Sequence, residues 1–103
     1  MTVSLFWRIQ TADFDSWLNP DSDALAQMMQ SQGVAAYSTH RDTGDPNSAV
    51  VHLQFADRGA LDAFEAWYAP TKEAWLKEFP GSEHTVAERW VCDDLPGYAR
   101  SFH

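Results

Sequence analysis

The sequence predicts an α+β fold in the order β, α, β, β, α, β, a four-stranded antiparallel sheet with both helices on one face. Three observations predict it. Apolar residues recur at every second position near the start of the chain, at Val3, Leu5, Trp7 and Ile9, and Val86, Trp90 and Cys92 share one face near its end. Two intervening stretches repeat rings, Leu and Met every three or four residues. A knot of turn residues, "DTGDPN", joins the two middle strands.

The first strand is Val3 to Gln10, with Val3, Leu5, Trp7 and Ile9 on one face and Ser4, Phe6, Arg8 and Gln10 on the other. From residue 14 to 32 the spacing is helical, and Phe14, Trp17, Leu18, Leu25, Met28 and Met29 share a stripe. Asp13 or Asp15 caps its start, Pro20 separates a short first turn from the longer piece that it opens, and Gly33 ends it. Residues 34–41 and 49–55 form a hairpin. Tyr37, Thr39, Val51, Leu53 and Phe55 lie on one of its faces, and Ser38, His40, His52 and Gln54 on the other. Asp57 caps a second helical stretch whose inner face carries Leu61, Phe64, Trp67, Tyr68, Trp75 and Phe79. Pro70 is expected to break it into pieces over 58–68 and 71–79. Residues 84–92 are the last strand, with Val86, Glu88, Trp90 and Cys92 toward the core and Thr85, Ala87, Arg89 and Val91 away from it.

Two right-handed βαβ-like units joined by a hairpin give the ferredoxin-like arrangement in one domain, residues 1–103. One sheet face packs under the helices. The other mixes Phe6, Val50 and Val91 with Arg8, Ser38, His40, His52, Gln54 and Arg89. Such a face calls for a cover, and a second copy of the chain is the simplest one.

Composition narrows the partners. Fifteen acids against seven Lys and Arg give a net charge of −8, which repels nucleic-acid backbones and anionic membranes. A single cysteine, Cys92, forms no internal disulfide and reads as a small buried hydrophobe. The N-terminus has neither the basic start nor the apolar core of a signal peptide, so a cytoplasmic protein is expected. Gly-rich phosphate loops, serine elbows, CxxC and HExxH are absent from the sequence. The acid pairs Asp21, Asp23 and Asp93, Asp94 read as solvated surface, and His84 as an exposed strand entry.

The aromatic content of 14% is large for so small a core. Trp7, Trp17, Tyr37, Phe64, Trp67, Tyr68 and Trp90 point to the space between helices and sheet, as an aromatic cleft or as core packing. His40 and His52, near Arg8 and Gln54, suit a general base or a polar subunit interface, and are too few for a metal site. Glu88, a carboxylate facing the core, is expected to pair with Lys72 or to line the pocket.

"DFDSW", "RDTGDPN", "AVVHLQF" and "ADRGALDAF" together resemble the dimeric α+β barrel superfamily, in its branch of small proteins like antibiotic biosynthesis monooxygenases, over residues 3–92. The resemblance implies a homodimer with a pocket between helices and sheet in each subunit. Among the activities it implies are cofactor-free oxygenation, polyketide cyclisation and lactone isomerisation. The haem-degrading members use a His on the second helix, and this chain has none there. The resulting expectation is an enzyme without cofactor or metal, acting on a small aromatic or polyketide-like ligand. Trp7, Tyr37, Phe64, Trp67, Tyr68 and Trp90 would hold the ligand, and Arg8, His52 and Arg89 would move protons or stabilise an enolate. The alternative is a dimeric binding or assembly module without turnover.

Overall fold

The computed structural model describes residues 2–18 and 22–102, so the expected roles of Pro20 and Asp21 fall outside the described residues. The order is β1 (Val3–Gln10), α1 (Phe14–Leu18), α2 (Ser22–Ser31), β2 (Val34–Arg41), β3 (Ser48–Phe55), α3 (Arg58–Glu78) and β4 (Thr85–Asp93). The strands form one antiparallel sheet in the order β2-β3-β1-β4, the ferredoxin-like topology.

Local chemistry sets the boundaries. Asp13 caps α1, accepting bonds from the backbone N–H and the hydroxyl of Ser16, and these bonds hold its carboxyl below the usual range. Asp57 caps α3 by accepting from the Ala60 N–H at 2.8 Å. Gly33 closes α2 at φ +88°, a conformation in which a side chain is strained. In the hairpin loop, Asp42 accepts from the Gly44 N–H and Asp45 from the Asn47 N–H, the Asx turns that the residues at 42–47 favour.

The core lies between sheet and helices. Leu5, Ile9, Leu53, Phe55, Leu61 and Phe64 are fully enclosed. Phe64 touches four rings, those of Trp7, Phe55, Trp67 and Tyr68. At the other side of the core, Phe14 is roofed by the Arg41 guanidinium, 3.9 Å above its ring.

Two elements differ from expectation. The second helical stretch is one continuous helix through Pro70. Proline takes an N–H out of the ladder and crowds the preceding turn. Thr71 sits at the disturbed turn and donates its hydroxyl to the Trp67 carbonyl at 2.9 Å. Before the proline Leu61 and Phe64 are buried in the core, and after it Lys72 ties the helix to the loop before β4 through the His84 carbonyl.

The faces of β4 are reversed over most of its length. Its register against β1 pairs Leu5 with Val91 and Trp7 with Arg89, so Val91 and Arg89 face the helices. Phe6 pairs with Trp90, Ser4 with Cys92 and Arg8 with Glu88, and these β4 residues face away. The register then shifts, since Arg8 pairs with Glu88 but Ile9 with Val86. Ala87 is therefore a bulge residue, and it returns Val86 to the helix side. Glu88 consequently pairs with Arg8 at 3.3 Å, not with Lys72, and Cys92 is exposed rather than buried.

Candidate functional site

Beneath the helices the sheet encloses a cavity of about 180 Å³. Trp7, Tyr37, Thr39 and Val51 form its floor. Trp17, Leu25 and Met29 close one wall, and Phe64, Trp67 and Tyr68 the other. Leu18 and Tyr37, respectively 46% and 37% exposed, mark the side that opens to solvent. The Tyr68 ring meets Trp7 edge-on at 4.8 Å, and burial pushes its hydroxyl up to about 12. Most of the lining is apolar, which favours a ligand with flat hydrocarbon surface.

Polar chemistry gathers at one end, where Thr71 and Lys72 of α3 meet Ser82 and His84 of the loop before β4. That loop is held on several sides. Thr11 donates its hydroxyl to the Glu83 carbonyl at 2.9 Å. The N–H and hydroxyl of Ser82 both donate to the Phe79 carbonyl. Gly81, at φ +95°, lies against Ser16, where a Cβ would come 3.4 Å from the serine Cβ. Lys72 Nζ donates to the His84 carbonyl at 3.4 Å. His84 Nδ1 lies 3.1 Å from the Ser82 carbonyl, an acceptor only, so Nδ1 carries the proton. In the neutral imidazole Nε2 is therefore the basic nitrogen. Burial lowers the pKa of both His84 and Lys72, and the ammonium lowers that of His84 further.

Five of the six expected ligand contacts, Trp7, Tyr37, Phe64, Trp67 and Tyr68, line this cavity. Trp90 does not. It lies on the opposite sheet face, stacked on Phe6 at 5.5 Å, and Phe6 in turn stacks on His52 at 4.5 Å. The expected proton-moving trio is not brought together. Arg8 is on that opposite face between Asp42 and Glu88, each at 3.3 Å. His52, also there, bonds Ser4 at 2.8 Å, and Ser4 donates to Asp94 at 2.7 Å. With its one proton given to Asp94, the Ser4 hydroxyl accepts from His52 Nε2–H. Asp94 also accepts from Thr2 and Gln54, so it is a bonding centre rather than solvated surface. These bonds, first that from Thr2, keep its carboxyl below the usual range. Arg89 is on the helix side, where its guanidinium grips Glu65 of α3 through two nitrogens and does not line the cavity. His84, expected at the surface, is a wall of the cavity.

No family model matches the sequence, and no curated protein does. Solved structures match along nearly the whole chain. HapK from Hahella chejuensis superposes with a TM-score of 0.64 at 21% identity, over 96% of this chain and 99% of its own. SnoaB, a cofactor-independent oxygenase from Streptomyces nogalater, gives 0.63 at 14%, over 96% and 98%. A dimeric ferredoxin-like protein from an uncultured marine organism gives 0.61 at 15%, over 88% and 92%. This chain has the ferredoxin-like fold. Proteins provisionally described as antibiotic biosynthesis monooxygenases, from Deinococcus radiodurans and Bordetella bronchiseptica, share that fold with it. Among the described residues of this ferredoxin-like domain, no helix is long and apolar enough to cross a membrane, and no three His, Cys, Asp or Glu residues cluster as metal ligands do.

Proposed function

We propose that the protein is a cytoplasmic, homodimeric enzyme that takes a small aromatic or polyketide-like compound into this cavity and oxygenates, cyclises or isomerises it without a cofactor. The observation that carries the reading is the cavity itself, aromatic on two sides and polar at one end. Its size favours a ligand of one or two rings. An apolar cavity of about 150 Å³ accommodates benzene, and this one is slightly larger and open. The shared fold with a cofactor-independent oxygenase supports the reaction class.

The homodimer rests on the second sheet face, where Phe6, Trp90, His52 and Val50 lie on the side away from the described helices. In this reading Arg8 and His52 serve the subunit interface, and the dimeric relative of the same fold supports it. Titrating a two-ring compound such as naphthalene while recording tryptophan fluorescence tests the pocket. Saturable quenching is expected, with Trp67→Ala weakening affinity about tenfold, since a lost ring contact removes roughly 1 kcal/mol or more. Equal affinity in wild type and variant would remove Trp67 from the binding surface and the reading with it.

A further inference from the structure

We infer that His84 and Lys72 are the proton-transfer pair of the cavity and that its substrates are enolisable ketones carried on or fused to an aromatic ring. His84 Nε2 takes a proton from the carbon beside the ketone, and Lys72 Nζ holds the oxygen as it becomes an enolate. The inference rests on the reading of the cavity as an aromatic pocket and adds the chemistry that it performs.

Four observations converge. The two residues line the same polar end of a cavity whose remaining lining, Thr39 apart, is hydrocarbon and ring. A ligand that stacks on Trp67 and Tyr68 therefore meets most of its polar contacts at that end. The bond from Nδ1–H to the Ser82 carbonyl leaves Nε2 as the basic atom and fixes the ring plane. The Trp17 ring, edge-on at 6.0 Å, walls the imidazole from α1. Finally, the ammonium is anchored to the same loop through the His84 carbonyl, which keeps base and cation at one end of the cavity. The charged groups around the imidazole are few. Lys72 faces it from α3, Glu83 adjoins it in the chain and is exposed, and Asp45 of the hairpin loop lines a second hollow on its other side. The cation is the only one of these that also lines the cavity, so it is placed to favour an anionic oxygen there.

The step balances without an oxidant. The C–H bond breaks, its electron pair forms the C=C bond, the carbonyl π pair moves to oxygen, and the proton rests on Nε2. Return of that proton to the same carbon exchanges it with solvent. Return to another carbon of the enolate isomerises the ligand.

The test uses 2-tetralone, a two-ring ketone with acidic C–H bonds beside the carbonyl. Hydrogen exchange in D2O is followed by NMR, and binding by tryptophan fluorescence in the same samples. Wild type is expected to catalyse exchange that saturates where binding does. His84→Gln is expected to keep its affinity within about twofold and lose kcat by about a hundredfold or more. His84→Ala should regain exchange when free imidazole is added, a rescue that a structural role would not give. Lys72→Met should lose kcat by about a hundredfold. If wild type binds 2-tetralone without exchanging it, or if His84→Gln exchanges as fast as wild type, the proton-transfer pair is refuted and the aromatic pocket stands. If wild type binds neither 2-tetralone nor naphthalene, the pocket reading falls and takes the inference with it.

Discussion

His84 owes its chemistry to its surroundings. Burial disfavours the imidazolium, the Lys72 charge adds to that, and the bond to Ser82 only partly opposes it, so the imidazole is neutral at pH 7. The consequence for stability has a definite sign. Below the ordinary pKa of 6.5 the unfolded chain binds a proton that the folded chain resists. Stability should therefore fall as pH drops from 6.5 through the depressed folded value. Urea denaturation at pH 7 and pH 5 checks this, and His84→Gln should show the smaller loss. Little in the sequence announced the role. Read along the chain, His84 is the polar residue before a strand. Its burial comes from α1 and α3, whose contributing residues Trp17 and Lys72 are far from it or twelve positions back. The rings Trp7, Tyr37, Phe64, Trp67 and Tyr68 were legible because each sits on the apolar face of a periodic element, and period fixes direction. Trp90 was misplaced because on an edge strand both faces carry apolar residues, and only the register against β1 decides between them.

Elements were legible where their signals are local. Alternation located β1, and the turn chemistry of residues 42–47 located the hairpin with its faces correct. The length of α3 was not local information. Proline's cost of about 3 kcal/mol in a helix interior argues for a break, yet the helix runs on through it, a continuity that no local signal announces. Pro70 is exposed, so its replacement disturbs no core contact. Pro70→Ala should therefore stabilise the protein by about 1–3 kcal/mol, seen as a higher urea midpoint at unchanged slope. A lower midpoint would mean that the proline is favoured through its restriction of the unfolded chain.

At the scale of the whole molecule, the two sheet faces divide the labour. One holds the cavity, while the other carries the ladder His52–Phe6–Trp90 and the bonding centre at Asp94. If the second face joins two copies, Trp90→Glu should yield a monomer in sedimentation at concentrations where wild type is dimeric. The ring is 37% exposed within the chain, so the monomer should keep its circular dichroism. A net charge of −8 on each copy predicts that moderate salt tightens the dimer.

The bulge at Ala87 has a bearing on descent. Deleting this one residue would leave Glu88 opposite Arg8 and Val86 opposite Ile9, so the sheet would survive its loss. A bulge also bends its strand, and His84 lies just upstream of this one. A lineage that gained or shed Ala87 would thus change the bend of β4 near His84 while keeping the strand pairing on either side of it.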